Sequence, residues 1–282
     1  MKLSKLFPIL DWLPNYKKEW LRGDLVAGTT VGIMLIPQGI AYALIAGLPP
    51  IYGLYTALIP QVIYAFLGTS RQLAVGPVAM DSLVVAAGIA TLAEVGSDQF
   101  IEFAILLALI MGLLQLVFGL FRLGFIVNFL SKPVISGFTS AAAIIIGLSQ
   151  LNNFLGINVD SNNKLQYLLY DAFHHIEETH WLTFIVGITS ILGMILIKKY
   201  FKKIPAALII VLLSILVVKF FNLDLLGVSI IGEIPQGLPN FKIPVFDKQI
   251  LTKLLPIALT LSLIAYLEAI SIAKSLEPKH SE

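Results

Sequence analysis

A short segment between two apolar runs contains residues that favour, in order, extended backbone, a sharp bend and the start of a helix. Residues 73–75 (Leu-Ala-Val) favour extended chain, Gly76 permits a sharp bend, and Pro77 suits the first turn of a new helix. The first N–H groups of such a helix are free, and the helix dipole makes them attractive to negative charge. Helices broken in this way hold small anions inside membranes. The residues predicted to contribute to an anion site here are Gly76, Pro77, Val78 and Ala79.

Two carboxylic acids lie within apolar runs, where an ionised group is costly in lipid. Glu268 is predicted to face the protein interior and to take up and release a proton as its surroundings alternate. The alternative is a structural carboxylate that reaches the membrane surface near Lys274. Asp81 follows one turn into the new helix, where the dipole favours negative charge. It is predicted as a second ion-coupling residue, or as a local structural acid paired with Arg71 or with hydroxyl groups.

A polar pair follows a proline in the first apolar run. Pro37 removes a backbone N–H and should kink the helix. Gln38 comes next, and Tyr42 lies one turn further on the same face. An amide and a phenol ring beside a kink can line a small polar cavity, and this is the prediction for Gln38 and Tyr42. The alternative is that Gln38 only satisfies the backbone freed by the kink.

Other kinds of chemistry have little support. The chain has no cysteine, which excludes disulfides and thiolate metal sites. His174, His175 and His180 fall in one loop without converging ligands, and we interpret them as surface residues. The sequence contains no recognisable phosphate-binding glycine loop, zinc-protease motif or Ser-His-Asp arrangement. We therefore expect no enzyme activity, no cofactor or metal, and no nucleic-acid partner.

The composition indicates an integral membrane protein. The chain is 57% hydrophobic and 13% charged, and that charged fraction is roughly half of the value typical of soluble proteins. Membrane-spanning helices need about 20 apolar residues. We expect an all-α polytopic protein with eight membrane elements, one of them the broken half-helix. They are placed at 25–46, 51–68, 77–93, 100–121, 132–150, 182–198, 204–220 and 252–274.

Charge distribution predicts the orientation in the cell membrane. With a cytoplasmic N-terminus, the basic run Lys198–Lys203 lies inside and most acids fall in outward loops. Residues 1–23 are predicted to form an amphipathic segment on the surface of the lipid bilayer. Residues 221–250 are predicted to form an exterior loop.

Several ordered motifs resemble the sulfate permease (SulP) family of anion transporters. They are the run from Gly23 to Gly32, Ile36-Pro37-Gln38-Gly39-Ile40-Ala41-Tyr42-Ala43, the run from Ala46 to Tyr55, Gly68-Thr69-Ser70-Arg71, Val75-Gly76-Pro77-Val78-Ala79, the run from Leu130 to Phe138, and Glu268-Ala-Ile-Ser271 through Lys274. These motifs are spread along nearly the whole chain.

The resemblance implies a fold of two inverted repeats of seven spans each. The anion would bind between two facing half-helices, in a core domain that moves like an elevator against a gate domain. Residues 24–124 (spans 1–4) and 251–282 (span 8) would belong to the core, and 125–220 (spans 5–7) to the gate. The resemblance also implies that Gln38 and Tyr42 line the anion site, that Glu268 matches an acid implicated in proton coupling, and that the full-length form is a homodimer.

The chain ends at Glu282, just after the eighth span. The second half-helix, the remaining spans and the family's cytoplasmic STAS domain lie outside these residues, so half of the anion site is expected elsewhere. A truncated chain, a disrupted gene or half of a split transporter would each explain this.

We expect a secondary active transporter of a small inorganic anion. Sulfate is the leading substrate, bicarbonate or a dicarboxylate remain open, and coupling to protons is favoured over sodium. One alternative is a nucleobase permease of the same inverted-repeat fold. Another is an assembly or regulatory membrane subunit that does not transport.

Overall fold

The structure, a computed structural model, describes residues 7–70, 73–121, 150–157, 174–201, 205–234, 236–239 and 246–275, with isolated positions between 137 and 148 and at 244. All of the regular secondary structure in these ranges is helical. The helices are α1 (Ile9–Trp12), α2 (Lys18–Ile45), α3 (Pro50–Leu67), α4 (Ala79–Ile89), α5 (Asp98–Leu120), α6 (Leu151–Leu155), α7 (Trp181–Tyr200), α8 (Ala206–Phe220) and α9 (Lys248–Ser275), with a 3₁₀ turn at Ile176–Glu178.

Five of the described helices are long and apolar enough to cross a membrane, namely α2, α3, α5, α7 and α9. The shorter apolar helices are α4 and α8. These seven match seven of the eight predicted elements, and the chain is therefore a multi-pass membrane protein. The eighth, expected at 132–150, lies largely outside the described residues. The N-terminal segment is described from residue 7 and includes α1 before α2 begins.

Local sequence signals explain several helix ends. α3 starts with Pro50 at its first position, where a missing N–H costs nothing. α5 starts after Ser97, whose hydroxyl oxygen accepts the N–H of Phe100 at 3.2 Å. α9 starts after Asp247, whose carboxylate accepts the N–H of Gln249 at 2.6 Å and that of Ile250 at 3.3 Å. Helix α4, like α3, has no side-chain cap, and it also lacks a proline at its first position.

The described residues divide into two compact units. The first comprises residues 1–22, 38–139 and 236–282, and the second comprises 23–37 and 140–235. In the first unit, α4, α5 and α9 pack around one apolar cluster. Its buried members are Ile89, Phe100, Phe103, Leu106, Leu107, Ile110, Leu254, Ala258 and Leu261.

In the second unit, α7 packs against α8 and against the short helix α6. The hydroxyl oxygens of Ser190 and Ser214 lie 3.3 Å apart between α7 and α8. The rings of Phe154 and Phe184 meet edge to face at a centroid distance of 5.3 Å, which joins α6 to α7. No residue of α7 is fully buried. Among the described residues of this unit, specific contacts of this kind join the helices.

Helices α2 and α3 approach each other at a pair of glycines. A Cβ atom built on Gly39 would lie 2.7 Å from the carbonyl oxygen of Gly53, and one on Gly53 would collide with the backbone carbonyl of Gly39. Both glycines are buried. Small residues at helix crossings allow this backbone approach in membranes. The crossing lies next to Gln38 in sequence.

We predict that Gly53→Ala lowers the free energy of unfolding by about 1–3 kcal/mol, because the added methyl group meets backbone atoms that cannot rotate away. Thermal unfolding in detergent, followed by tryptophan fluorescence, measures the change. Gly112→Ala is the matched control, since a Cβ there meets nothing within 4 Å and alanine is the better helix former. Equal effects of the two substitutions would contradict the close crossing.

Candidate functional site

The helix break predicted before α4 is confirmed. α3 ends at Leu67, the described residues 73–78 are not helical, and α4 begins at Ala79. The predicted start at Pro77 is two residues too early. Val78 is the N-cap with extended backbone (φ −124°, ψ 137°), and its carbonyl accepts the N–H of Ser82 at 3.1 Å. A β-branched residue favours that extended conformation, so the helix starts after Val78.

The start of α4 offers free backbone donors. The first helical N–H groups have no intrahelical acceptor, and no side chain replaces one. Val78 is 39% exposed, whereas Ala79 is buried, so the N-cap is open on one side. The dipole of the helix adds partial positive charge at this end. This arrangement can bind a small anion without a basic side chain from α4.

Packing on one face holds α4 in place. Its buried residues Ala79, Ser82, Ala86 and Ile89 recur at helical spacing. Gly88 contacts α9 closely, since a Cβ built there would lie 2.7 Å from Cγ2 of Ile257. Helix α4 is therefore positioned by α5 and α9, with which it shares the apolar cluster.

The structure brings the two predicted ion-coupling residues near each other. The carboxyl groups of Asp81 and Glu268 lie within electrostatic range. Helical spacing explains why. Asp81 precedes Gly88 by about two turns, and Glu268 follows Ile257 by about three turns, so each acid shares a helix face with the contact between α4 and α9. α4 and α9 run antiparallel past this contact.

These two acids lack a cationic partner in the part of the chain that the structure describes. Oδ1 of Asp81 is buried and has no hydrogen-bond partner there, and Glu268 is half-buried. The charged residues of α5 are Asp98 and Glu102, in its first turns. The suggested partner Arg71 lies outside the described residues, as does the side chain of Lys274.

Gln38 and Tyr42 lie one turn apart on α2, as predicted. Gly39, Ile40 and Ala43 form the buried face of this part of the helix. Gln38 is exposed and Tyr42 is half-buried, so both side chains lie beside the packed face rather than within it.

Gln61 is a polar residue that sequence reasoning passed over. Its Nε2 is buried and has no hydrogen-bond partner among the described residues. It follows Pro60 inside α3, just as Gln38 follows Pro37 inside α2. The repeated Pro-Gln pair was the available signal. Ser262 was also missed; it is buried in α9, and its hydroxyl donates to the carbonyl of Ala258 at 2.7 Å.

Comparisons with known proteins give a consistent result. The family model described as the sulfate permease family matches residues 21–282. The chloroplastic sulfate transporter 4.1 of Arabidopsis thaliana is 41% identical over 289 residues, which cover 99% of this chain and 42% of that protein. The probable sulfate transporter MT1781 of Mycobacterium tuberculosis is 33% identical, with 96% of this chain and 49% of that protein covered. The chain spans about half the length of these relatives.

Two solved structures share the fold. Murine Solute Carrier 26 family member A9, an anion transporter in the inward-facing state, superimposes with a TM-score of 0.89 at 26% identity, over 99% of this chain and 50% of that one. The transmembrane domain of the cyanobacterial bicarbonate transporter BicA superimposes with a TM-score of 0.77 at 26% identity, over 94% of this chain and 69% of that one.

We predict that Asp81→Asn raises the free energy of unfolding by about 1 kcal/mol at about pH 8.5, because it removes one of two neighbouring negative charges. Glu268→Gln should do the same, and the double variant should gain less than the sum of the two. The gain should shrink at about pH 5, where protonation removes the same charge. Reversible unfolding in mixed micelles measures all three variants.

Asp98→Asn is the matched control for this double-mutant cycle. That carboxylate lies in the first turn of α5, where the dipole favours it, so its removal should give no gain. Additive effects of Asp81→Asn and Glu268→Gln would show that the two carboxyls do not interact.

Proposed function

The chain belongs to the sulfate permease family, and from this membership we propose that it acts in secondary active transport of a small inorganic anion. The observation that carries the proposal is the uncapped start of α4 after an extended break, inside a bundle of membrane-length helices. Sulfate is the first candidate substrate, because the named plant and mycobacterial relatives are described as sulfate transporters. Bicarbonate and dicarboxylates are the next candidates to test.

The proposed anion site uses backbone donors first. The N–H groups at the start of α4 bind the anion, with Gly76 and Pro77 shaping the chain that leads to Val78 and Ala79. Gln38 can donate from its amide and Tyr42 from its hydroxyl. Neutral donors suit an anion that must be released again, because they bind it without a permanent opposite charge.

Proton coupling is proposed for Asp81 and Glu268. An anion at the start of α4 lies one turn from Asp81, so a negative charge on that carboxyl would oppose binding. A proton taken up by the pair removes that repulsion and can travel with the anion. A proton needs only the carboxyl groups, whereas sodium needs several converging oxygen ligands. Within the described residues no group of three or more acidic or histidine side chains converges in this way.

Movement is proposed to follow the elevator scheme. Spans 1–4 and 8 (residues 24–124 and 251–282) would form the core, and residues 125–220 the gate. The grouping of α4, α5 and α9 around one apolar cluster supports their motion as one body. A homodimer is proposed for the full-length form.

We predict that the protein in liposomes takes up labelled sulfate faster with an inward proton gradient than without one. Glu268→Gln should reduce this stimulation at least about tenfold, because the carboxyl that carries the proton is replaced by an amide. Uptake of radiolabelled sulfate with and without the gradient measures the effect. Glu102→Gln, which changes an exposed carboxylate of α5, should leave the stimulation intact.

The outcomes separate the alternatives. Gradient-stimulated sulfate uptake that persists in Glu268→Gln would remove the proton-carrier role of this residue. Uptake of labelled uracil that sulfate does not inhibit would favour a nucleobase permease. Absence of uptake for every anion tested, in protein shown to be folded, would favour a subunit that does not transport.

The N-terminus is proposed to be cytoplasmic, with the protein in the cell membrane. The chain has no cysteine, so single cysteines report sidedness directly. We predict that an impermeant maleimide labels Glu177→Cys in intact cells but labels Lys199→Cys only after permeabilisation. Both positions are exposed and lie at opposite ends of α7. The reverse pattern would invert the proposed topology.

A further inference from the structure

His180 joins three segments at one end of the second unit. Its ring Nε2 lies 3.0 Å from the carbonyl oxygen of Leu226, and its ring Nδ1 lies 2.8 Å from the hydroxyl oxygen of Thr183. Its backbone N–H donates to the carbonyl of Leu155 at 2.9 Å. One residue thus connects the end of α6, the start of α7 and the turn after α8.

Two glycines make room for this ring. Gly156 has φ 69°, and a Cβ there would lie 2.8 Å from Cβ of His180. Gly227 has φ 97°, and a Cβ there would lie 3.0 Å from Nε2 of His180. Both backbones occupy the left-handed region that favours glycine. The two loops therefore leave room for His180, Gly156 beside its Cβ and Gly227 beside its ring.

The contacts specify the protonation state of the ring. The carbonyl of Leu226 can only accept, so Nε2 carries a hydrogen. Nδ1 accepts the N–H of Thr183 at 3.4 Å and thereby caps α7, a helix of 20 residues. Nδ1 must therefore lack a hydrogen. Only the neutral imidazole with its hydrogen on Nε2 makes both contacts.

We propose that His180 is a proton-sensitive cap, which holds the start of α7 when neutral and releases it when protonated. Protonation places a hydrogen on Nδ1, which then faces the N–H of Thr183 as a second donor. It also places a positive charge at the positive end of the helix dipole. The hydroxyl of Thr183 can turn to accept from Nδ1, and the bond to Leu226 persists. Acid therefore loosens the first turn of α7 while the turn after α8 stays attached.

Charged residues occur on several of the segments that meet at the ring. The 3₁₀ turn before α7 carries Glu177 and Glu178, the last turn of α8 carries Lys219, and the turn after α8 carries Asp224. α6 has no charged residue, and the first charged residue of α7 is Lys198. Imidazole is, in general, the side chain that changes charge near physiological pH.

Hydrogen exchange of the 282-residue protein in lipid nanodiscs tests the proposal. We expect the protection factor of the Thr183 amide, taken relative to its intrinsic exchange rate, to fall at least about fivefold between about pH 7.5 and about pH 5.5. His180→Asn is the decisive variant, because asparagine caps helices well and does not titrate. Its protection should be the same at both pH values.

The neighbouring histidines supply the control. The double variant His174→Gln, His175→Gln should retain the full pH response, because neither ring caps α7. Two results would overturn the proposal: equal protection of Thr183 at both pH values in the unaltered protein, or the same acid-induced loss in His180→Asn. Exchange in the 222–228 turn should change little, which separates release of the cap from general unfolding.

Discussion

The need to satisfy backbone polar groups in a membrane governs this structure. An interrupted helix leaves N–H groups without partners, which lipid cannot supply. α4 has 11 residues, about 16 Å of helix, and the hydrocarbon layer is about 30 Å thick. It cannot cross that layer alone. Its position depends on α5 and α9, with 23 and 28 residues, which share one apolar cluster with it.

The same packing explains the location of the two carboxyl groups. Gly88 of α4 contacts Ile257 of α9. By helical spacing, Asp81 lies on the same face of α4 as Gly88, and Glu268 lies on the same face of α9 as Ile257. The result is two acids and a free helix start in one packed bundle. Since like charges repel, the protonation of one acid depends on the state of the other and on any anion bound nearby. In the proposed mechanism, this geometry links anion binding to proton uptake.

The second unit is stabilised differently. α7 has no fully buried residue, so its apolar surface is available to lipid. Its attachment to neighbouring segments relies on discrete contacts, such as the edge-to-face rings of Phe154 and Phe184 and the bridging imidazole of His180. Contacts of this kind can break singly, whereas the apolar cluster of the first unit is lost or kept as a whole. The proton-sensitive cap belongs to the unit with the discrete contacts.

Much of the fold was predictable from sequence, because apolar run length and the turn chemistry of glycine and proline are local properties. Seven predicted membrane elements match described helices, and the break before α4 lies where Gly76 and Pro77 suggested it. The first residue of α4 was misplaced by two positions, because the extended preference of Val78 outweighs the helix-starting preference of Pro77. Gln61 was passed over because the burial of its Nε2 depends on which face of α3 is packed.

Sequence by itself determined the membrane class and the number and order of most spans. It also identified two acids within apolar runs, where an ionised carboxylate is costly. Only the tertiary structure decided that Asp81 and Glu268 lie within electrostatic range, because the packing of α4 on α9 brings together parts of the chain 187 positions apart. It also decided the role of His180, which in sequence is one of three loop histidines. Its ring contacts Leu226, which lies 46 positions later in the chain, and its backbone N–H donates to Leu155 in the preceding helix. No local pattern specifies these contacts.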